Sequence, residues 1–298
     1  MDLTSLTTEA PNPATTDLDR MPVADLLALM NAEDRRAPEA VAAALPQVAE
    51  AVELIVAARR RGGRLVYLGA GTSGRLGLLD AVECPPTFDT DPAEVVGLIA
   101  GGRRAFTEAV EGAEDDPVLA AEDLRGIGLG PDDVVVGLTA SGRTPYVLGG
   151  LDHARSLGAA TVAVACNVGA VVSTHADVAI ELDTGPEVLT GSTRLKAGTA
   201  QKLVCNMLST AAMVRDGKVF GNLMVDVRPT NAKLVDRARR IVASAAGTDA
   251  ATAAATLEAA GGQPKVAVVM LLACCSRVAA LDRLAEAGGR VREAVGMS

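Results

Sequence analysis

Five short apolar runs, three of them followed by hydroxyl-rich loops and with helical stretches among them, constrain this chain most. They are Arg64-Leu-Val-Tyr-Leu68, Glu94-Val-Val-Gly-Leu-Ile-Ala100, Asp133-Val-Val-Val-Gly-Leu138, Ala160-Thr-Val-Ala-Val-Ala165 and Asp177-Val-Ala-Ile-Glu-Leu182. Their interiors are nearly continuous in apolar residues instead of alternating, which is how parallel strands covered on both faces read. Helical spacing lies between them, as in Leu76 to Val82 and Pro145 to Ser156. Strands alternating with helices predict an α/β doubly wound sheet, in which ligands bind beyond the carboxyl ends of the strands. Helices come first as well, over Val23 to Arg61. After Asn231 the chain reads as a small helical bundle broken at Gly261-Gly262 and Gly288-Gly289. The expected division is 1–60 as an N-terminal arm and helices, 61–230 as the sheet domain and 231–298 as a C-terminal helical subdomain.

Composition narrows the chemistry. With 28 Lys and Arg against 37 Asp and Glu in 298 residues, the formal charge is −9. Nucleic-acid backbones demand a clustered positive face and often stacking aromatics, and this chain has no Trp and five Tyr and Phe in all (2 + 3), so no nucleic-acid partner is expected. The longest apolar run, Val266 to Cys275, is about half of a bilayer span, so no membrane partner is expected either. The start Met-Asp-Leu-Thr-Ser lacks the marks of a secretory signal and points to the cytoplasm. Five cysteines without C-x-x-C spacing, and two histidines without neighbours for a triad, argue against a disulfide framework, a structural zinc site or a bound metal. The cysteines are expected to be buried thiols, and no cofactor is called for.

Three loops after strands carry hydroxyls. Gly69-Ala-Gly-Thr-Ser-Gly74 matches G-x-G-x-x-G but lacks an acidic residue where a ribose contact would need it, since Glu94 opens the next strand instead of ending it. Thr139-Ala-Ser-Gly-Arg-Thr144 and Leu189-Thr-Gly-Ser-Thr-Arg-Leu-Lys196 repeat the theme. Any one of them is what turns and N-caps contain. Three together, at strand ends leading into helices, describe a phosphate cradle of N–H and O–H donors that needs little net positive charge.

Two carboxylates stand out. Glu83 sits in Asp80-Ala-Val-Glu-Cys-Pro-Pro-Thr87, where Pro85 and Pro86 are expected to stop the helix and leave the acid partly desolvated. Glu114 lies in an acidic run after the second strand. Either alone is equally a solvated surface acid. The segments Leu68-Gly-Ala-Gly-Thr-Ser-Gly-Arg-Leu-Gly77, Glu83-Cys-Pro-Pro-Thr87, Ala140-Ser-Gly-Arg-Thr-Pro-Tyr146 and Gly185 to Lys202 together resemble the N-acetylmuramic acid 6-phosphate etherases. Gly221-Asn-Leu-Met-Val-Asp226 and Pro229-Thr-Asn-Ala-Lys233 extend the likeness, which runs from the Thr8-Glu9 arm to about residue 246. Val82 departs from it, standing where a serine is common.

The resemblance implies a sugar isomerase (SIS) fold, a flavodoxin-like parallel sheet flanked by helices, and cleavage of a lactyl ether in amino-sugar recycling by a carbon–oxygen lyase. It implies Glu83 as the acid that protonates departing lactate and Glu114 as the base at C2, or the two in exchanged roles. The small-molecule phosphosugar would lie among Gly71, Thr72, Ser73, Ser141, Gly142, Thr144, Thr190, Ser192 and Thr193. Arg75, Arg143 and Lys196 are candidates to neutralise the phosphate or the lactyl carboxylate, though each singly is as readily a partner of acidic neighbours. Glu187 and Asn222 could also face the site. A homodimer follows by resemblance. The competing readings are a phosphosugar aldose–ketose isomerase and a non-catalytic sugar-phosphate sensor like glucokinase regulatory protein.

Overall fold

The computed structural model describes residues 6–108, 110–227 and 232–297. Three helices open the chain, α1 (Val23–Asp34), α2 (Arg36–Ala43) and α3 (Leu45–Arg60). The alternating part follows: β1 (Leu65–Gly69), α4 (Gly71–Phe88), β2 (Val95–Ile99), α5 (Pro117–Gly126), β3 (Val134–Thr139), α6 (Pro145–Ser156), β4 (Ala160–Ala165), β5 (Val178–Glu181) and α7 (Lys196–Arg215). A two-stranded hairpin, β6 (Val219–Phe220) and β7 (Leu223–Met224), leads to α8 (Ala232–Ala246), α9 (Ala250–Ala259), α10 (Pro264–Leu272), α11 (Arg277–Glu286) and α12 (Val291–Ala294).

All five expected strands form, in one parallel sheet of order β2-β1-β3-β4-β5. Burial follows position in that order. Central β1 and β3 are buried along their whole length, whereas edge strands β2 and β5 leave alternate or middle residues half-exposed. Val66, Leu68 and Val135 pack against Ala120 and Leu124 of α5 and Tyr146, Val147 and Leu151 of α6. On the opposite face, the Tyr67 hydroxyl donates to Asp80 of α4 at 2.9 Å and to the Cys205 carbonyl of α7 at 3.3 Å. Burying each large apolar side chain here contributes roughly 1.5–3 kcal/mol.

Helix α4 corrects one expectation. It continues through Pro85 and Pro86 to Phe88. Two prolines remove two ladder donors, yet the Thr87 hydroxyl donates to the Glu83 carbonyl at 2.7 Å and the chain turns only at Asp89, whose φ is 52°. A second correction concerns the thiols. Cys84, Cys166 and Cys205 are buried as expected, but Cys274 is exposed and Cys275 half-buried.

The chain groups into two compact units, Met1–Val82 with Ala93–Ser209, and Glu83–Pro92 with Thr210–Ser298. This differs from the three-part division expected. The N-terminal helices belong to the first unit because α2 and α3 bury Ala37, Val41, Val48, Ala51, Ile55 and Val56, with α3 packed on β3 and β5. The second unit begins early because the hairpin supplies Phe220, Leu223, Met224 and Val225 to a core built on Val242, Leu257, Val266, Val269 and Val291. Pro229 to Asn231, and the expected boundary at 230, lie outside the described residues. Among those described, no single helix is long and apolar enough to cross a membrane.

Candidate active site

The sheet order places the ends of β1 and β3 side by side while their crossovers run in opposite directions, the switch point at which open α/β sheets form a ligand crevice. The β1 loop turns tightly there. A Cβ at Gly74 would lie 2.6 Å from the Gly69 carbonyl oxygen, so only glycine permits the turn. Gly71 starts α4 with φ 52°. Thr72 lies against α7, its methyl 3.4 Å from where a Cβ on Gly198 would stand. Ser73 is buried and its hydroxyl donates to Gln201 Oε1 at 2.8 Å.

The β3 loop is organised by Thr139, a residue at the strand end that the sequence did not single out. Its Oγ1 accepts the Gly142 N–H at 3.1 Å and lies 2.8 Å from the Thr144 hydroxyl, while the Arg143 N–H donates to Ser141 Oγ at 3.3 Å. Gly142 has φ 75° and no room for a side chain, since its Cβ would meet the Ala170 methyl at 2.5 Å. Asn167 supports this loop from beneath. Its Nδ2 donates to the Ala140 and Ser141 carbonyls and to Thr8 Oγ1, and its Oδ1 accepts from the Thr7 hydroxyl and, at 3.4 Å, from the Thr8 N–H.

The third loop leads into α7. Thr190 is exposed, and Ser192 and Thr193 are half-buried beside Gly191, whose φ is 75°. Here Lys196 takes the second of the two roles expected for it, as a partner of an acidic residue. Its side chain is fully buried and its ammonium pairs with Glu33, brought in by α1. The first N–H groups of α7, at Lys196 and Ala197, donate at 3.0 Å to the two oxygens of Glu187, which is itself buried. The helix terminus therefore already holds an anion of the protein's own. Burial raises the Glu187 pKa despite those donors and nearby Lys196. Burial would raise Glu33 too, but the hydrogen bonds from Lys196 and Asn12 and the charges of Lys196 and Arg36 outweigh it and hold that acid low.

Glu114 occupies a one-turn segment, Ala113–Asp115, behind Gly112. It lines a cavity of about 190 Å³ together with Ala70, Gly71, Arg75, Glu111 and Gly112. Arg75 reaches across to the Phe106 carbonyl at 3.1 Å and the Glu108 carbonyl at 3.4 Å. Glu83 groups with the second unit and is exposed, as is Val82 beside it. The expected desolvation of Glu83 is therefore absent in this chain, because α4 does not end at the prolines. Asn222 is exposed in the β6–β7 turn.

Within the first unit the structure thus gathers Gly71, Thr72, Ser73, Arg75 and Glu114 at one strand end, with Ser141 to Thr144 at the next. Cys166 at the end of β4 links Ala140, through its N–H at 3.0 Å, with the Ala197 carbonyl of α7, through its thiol at 3.6 Å. Three supporting residues escaped sequence reasoning: Thr139, Asn167 and Gln201. Only Gln201 left a readable signal, a polar residue on the apolar stripe of Ala197, Ala200, Val204 and Leu208.

Parallel order and hydroxyl loops of this kind fit a phosphosugar-binding α/β domain, and the family comparisons make it an SIS domain. Residues 118–211 match the SIS domain family, and residues 47–155 match the glucokinase regulatory protein N-terminal SIS domain family. The phosphoheptose isomerase of Neisseria gonorrhoeae superposes with a TM-score of 0.45 at 18% identity, covering 63% of this chain and 99% of that one. Full-length similarity is far higher elsewhere. A Mycolicibacterium smegmatis protein named N-acetylmuramic acid 6-phosphate etherase is 65% identical over 99% of both chains, and one of that name from Exiguobacterium is 56% identical over 98% of this chain and 100% of its own. The chain belongs to the N-acetylmuramic acid 6-phosphate etherase family.

Proposed function

We propose that this chain cleaves the D-lactyl ether of N-acetylmuramic acid 6-phosphate, giving N-acetylglucosamine 6-phosphate and D-lactate. The observation that carries this is the 65% identity over 99% of both chains with a relative of that name. An ether resists direct attack, but this one sits at C3 of a sugar whose open-chain form has an aldehyde at C1, so the C2 proton is acidic. A base removes that proton, lactate leaves from C3 with a proton from an acid, and water adds across the resulting double bond. The sequence of steps needs positioned acid and base groups. Glu114 is assigned as the base at C2, and Glu83 as the acid that protonates lactate and then assists water addition.

The phosphate is assigned to Ser73, Ser141, Thr144 and the Thr190–Thr193 loop with their N–H groups. What supports this is the switch-point position of the first two loops. Arg75 lines the same cavity as Glu114 and is assigned as a cation for this chemistry. A homodimer and a cytoplasmic location complete the proposal by resemblance, and light scattering tests the first.

Incubation with N-acetylmuramic acid 6-phosphate is expected to release D-lactate. Binding of the sugar without lactate overturns the etherase assignment in favour of an isomerase or a sensor. Solvent deuterium at C2 of the product would support elimination over direct displacement.

A further inference from the structure

Behind the β1 loop, α7 turns a polar side chain, Gln201, into an apolar interior. Gln201 is 1% exposed, with Ala197, Val204, Cys205 and Leu208 buried along the same helix. Its Oε1 accepts the Ser73 hydroxyl proton at 2.8 Å, and its Nε2 is buried with no hydrogen-bond partner. That arrangement is unfavourable twice over. An unpaired buried amide donor is costly, and Ser73 spends its single proton on the interior, so that only lone pairs face the loop in which the phosphate is placed. A hydroxyl has one donor and two acceptor sites, whereas the two ends of a carboxamide are nearly the same shape. Exchanging them lets Nε2–H donate to Ser73 Oγ. The orphaned donor is then satisfied and the hydroxyl proton is released outward, leaving a buried carbonyl oxygen, which interiors tolerate better than a lone N–H.

We propose that Gln201 is a positioning residue whose Nε2 donates to Ser73 Oγ and thereby aims the Ser73 proton at the phosphate of the bound sugar. This rests on the phosphosugar assignment above and states how that site makes a donor of Ser73. Gln201 does not itself touch the substrate.

The test is a double-mutant cycle on the full chain, read by KM, kcat and the inhibition constant of inorganic phosphate. Gln201→Met keeps the volume and removes both hydrogen-bonding ends. It is expected to raise KM and the phosphate constant about tenfold, with kcat changed much less. Ser73→Ala should do the same, and the double variant should be no worse than Ser73→Ala alone. A phosphate constant unmoved by Gln201→Met, or a loss that adds in full on Ser73→Ala, overturns the proposal. A merely structural role would lower the thermal midpoint without moving the phosphate constant. Should Gln201→Met fail to fold, Gln201→Leu serves instead. It too can neither donate to nor accept from Ser73, so it must weaken phosphate as much, and unchanged phosphate inhibition overturns the proposal equally. If the parent protein releases no D-lactate, the etherase assignment fails; calorimetry of inorganic phosphate then reads the same comparison, and weaker binding by Gln201→Met leaves the Gln201 role standing while equal binding overturns it. If lactate is released normally and Gln201→Met is indifferent, the reverse holds.

Discussion

Glu83 and Glu114 are matched tests of the proposed proton transfers, because Gln keeps their shape and removes their charge. Each single change to Gln should lower D-lactate release by about 10²–10⁴-fold while product binding, followed by calorimetry, stays near that of the parent. Turnover surviving in both variants would show the assignment wrong. At this scale the placement of Ser73, Gly142 and Thr144 in the loops at the strand ends was readable from the motifs that hold them. At Lys196 the sequence left two roles open, a phosphate cation or a partner of an acidic residue. The true partner, Glu33, lies 163 residues away in sequence, and nothing local to either residue reveals the other. Thr139 and Asn167 were missed for the same reason: their hydrogen bonds serve the loop's backbone, and polar residues at strand ends look alike until the loop is folded.

Elements were more legible, because each strand of the sheet carries its own burial pattern in a few consecutive residues. The end of α4 was not, since proline's local preference was overridden by the packed helix around it. Two ion pairs hold elements in place and can be tested separately. Lys196→Met removes the cation that joins α7 to α1 and leaves Glu33 without it, which should cost about 2–3 kcal/mol in urea unfolding, less than a fully buried pair. A large rise in KM without loss of stability would instead return Lys196 to the substrate. Arg64 and Asp133 tie the start of β1 to the start of β3 through contacts of 2.7 and 3.1 Å, with the N–H groups of Arg64 and Gly130 also donating to the carboxylate. Burial alone would raise Asp133, but these bonds and the Arg64 charge outweigh it and hold its pKa below the usual aspartate value. A lowered carboxylate stabilises the fold fully above its ordinary pKa of about 4 and loses that contribution as pH falls through its depressed value. The stability gap between the parent and Asp133→Asn should therefore be widest near neutrality and should narrow under acid. A gap independent of pH would refute this.

For the molecule as a whole, thiol chemistry separates surface from interior. Burial raises the pKa of Cys166 and Cys205, assisted by Glu187 and Asp80 respectively, so neither is reactive in the native state. A disulfide reagent should modify exposed Cys274 at once and Cys275 more slowly, while Cys84, Cys166 and Cys205 should respond only after denaturation. Prompt loss of all five thiols would contradict the packing described. The division into two units was not legible in the sequence because no linker marks it; α4 and α7 contribute residues to both. The strand order β2-β1-β3-β4-β5 has one more consequence, for the chain as it is made. During synthesis β1 emerges with both edges open, and β2 can close only one of them. The edge that will lie at the centre of the finished sheet waits for Val134 to Thr139 to leave the ribosome, with Leu65 to Leu68 exposed to wrong partners in the meantime. Slowed elongation between β2 and β3 would lengthen that exposure, so the crossover through α5 is where the nascent chain is most open to misassembly.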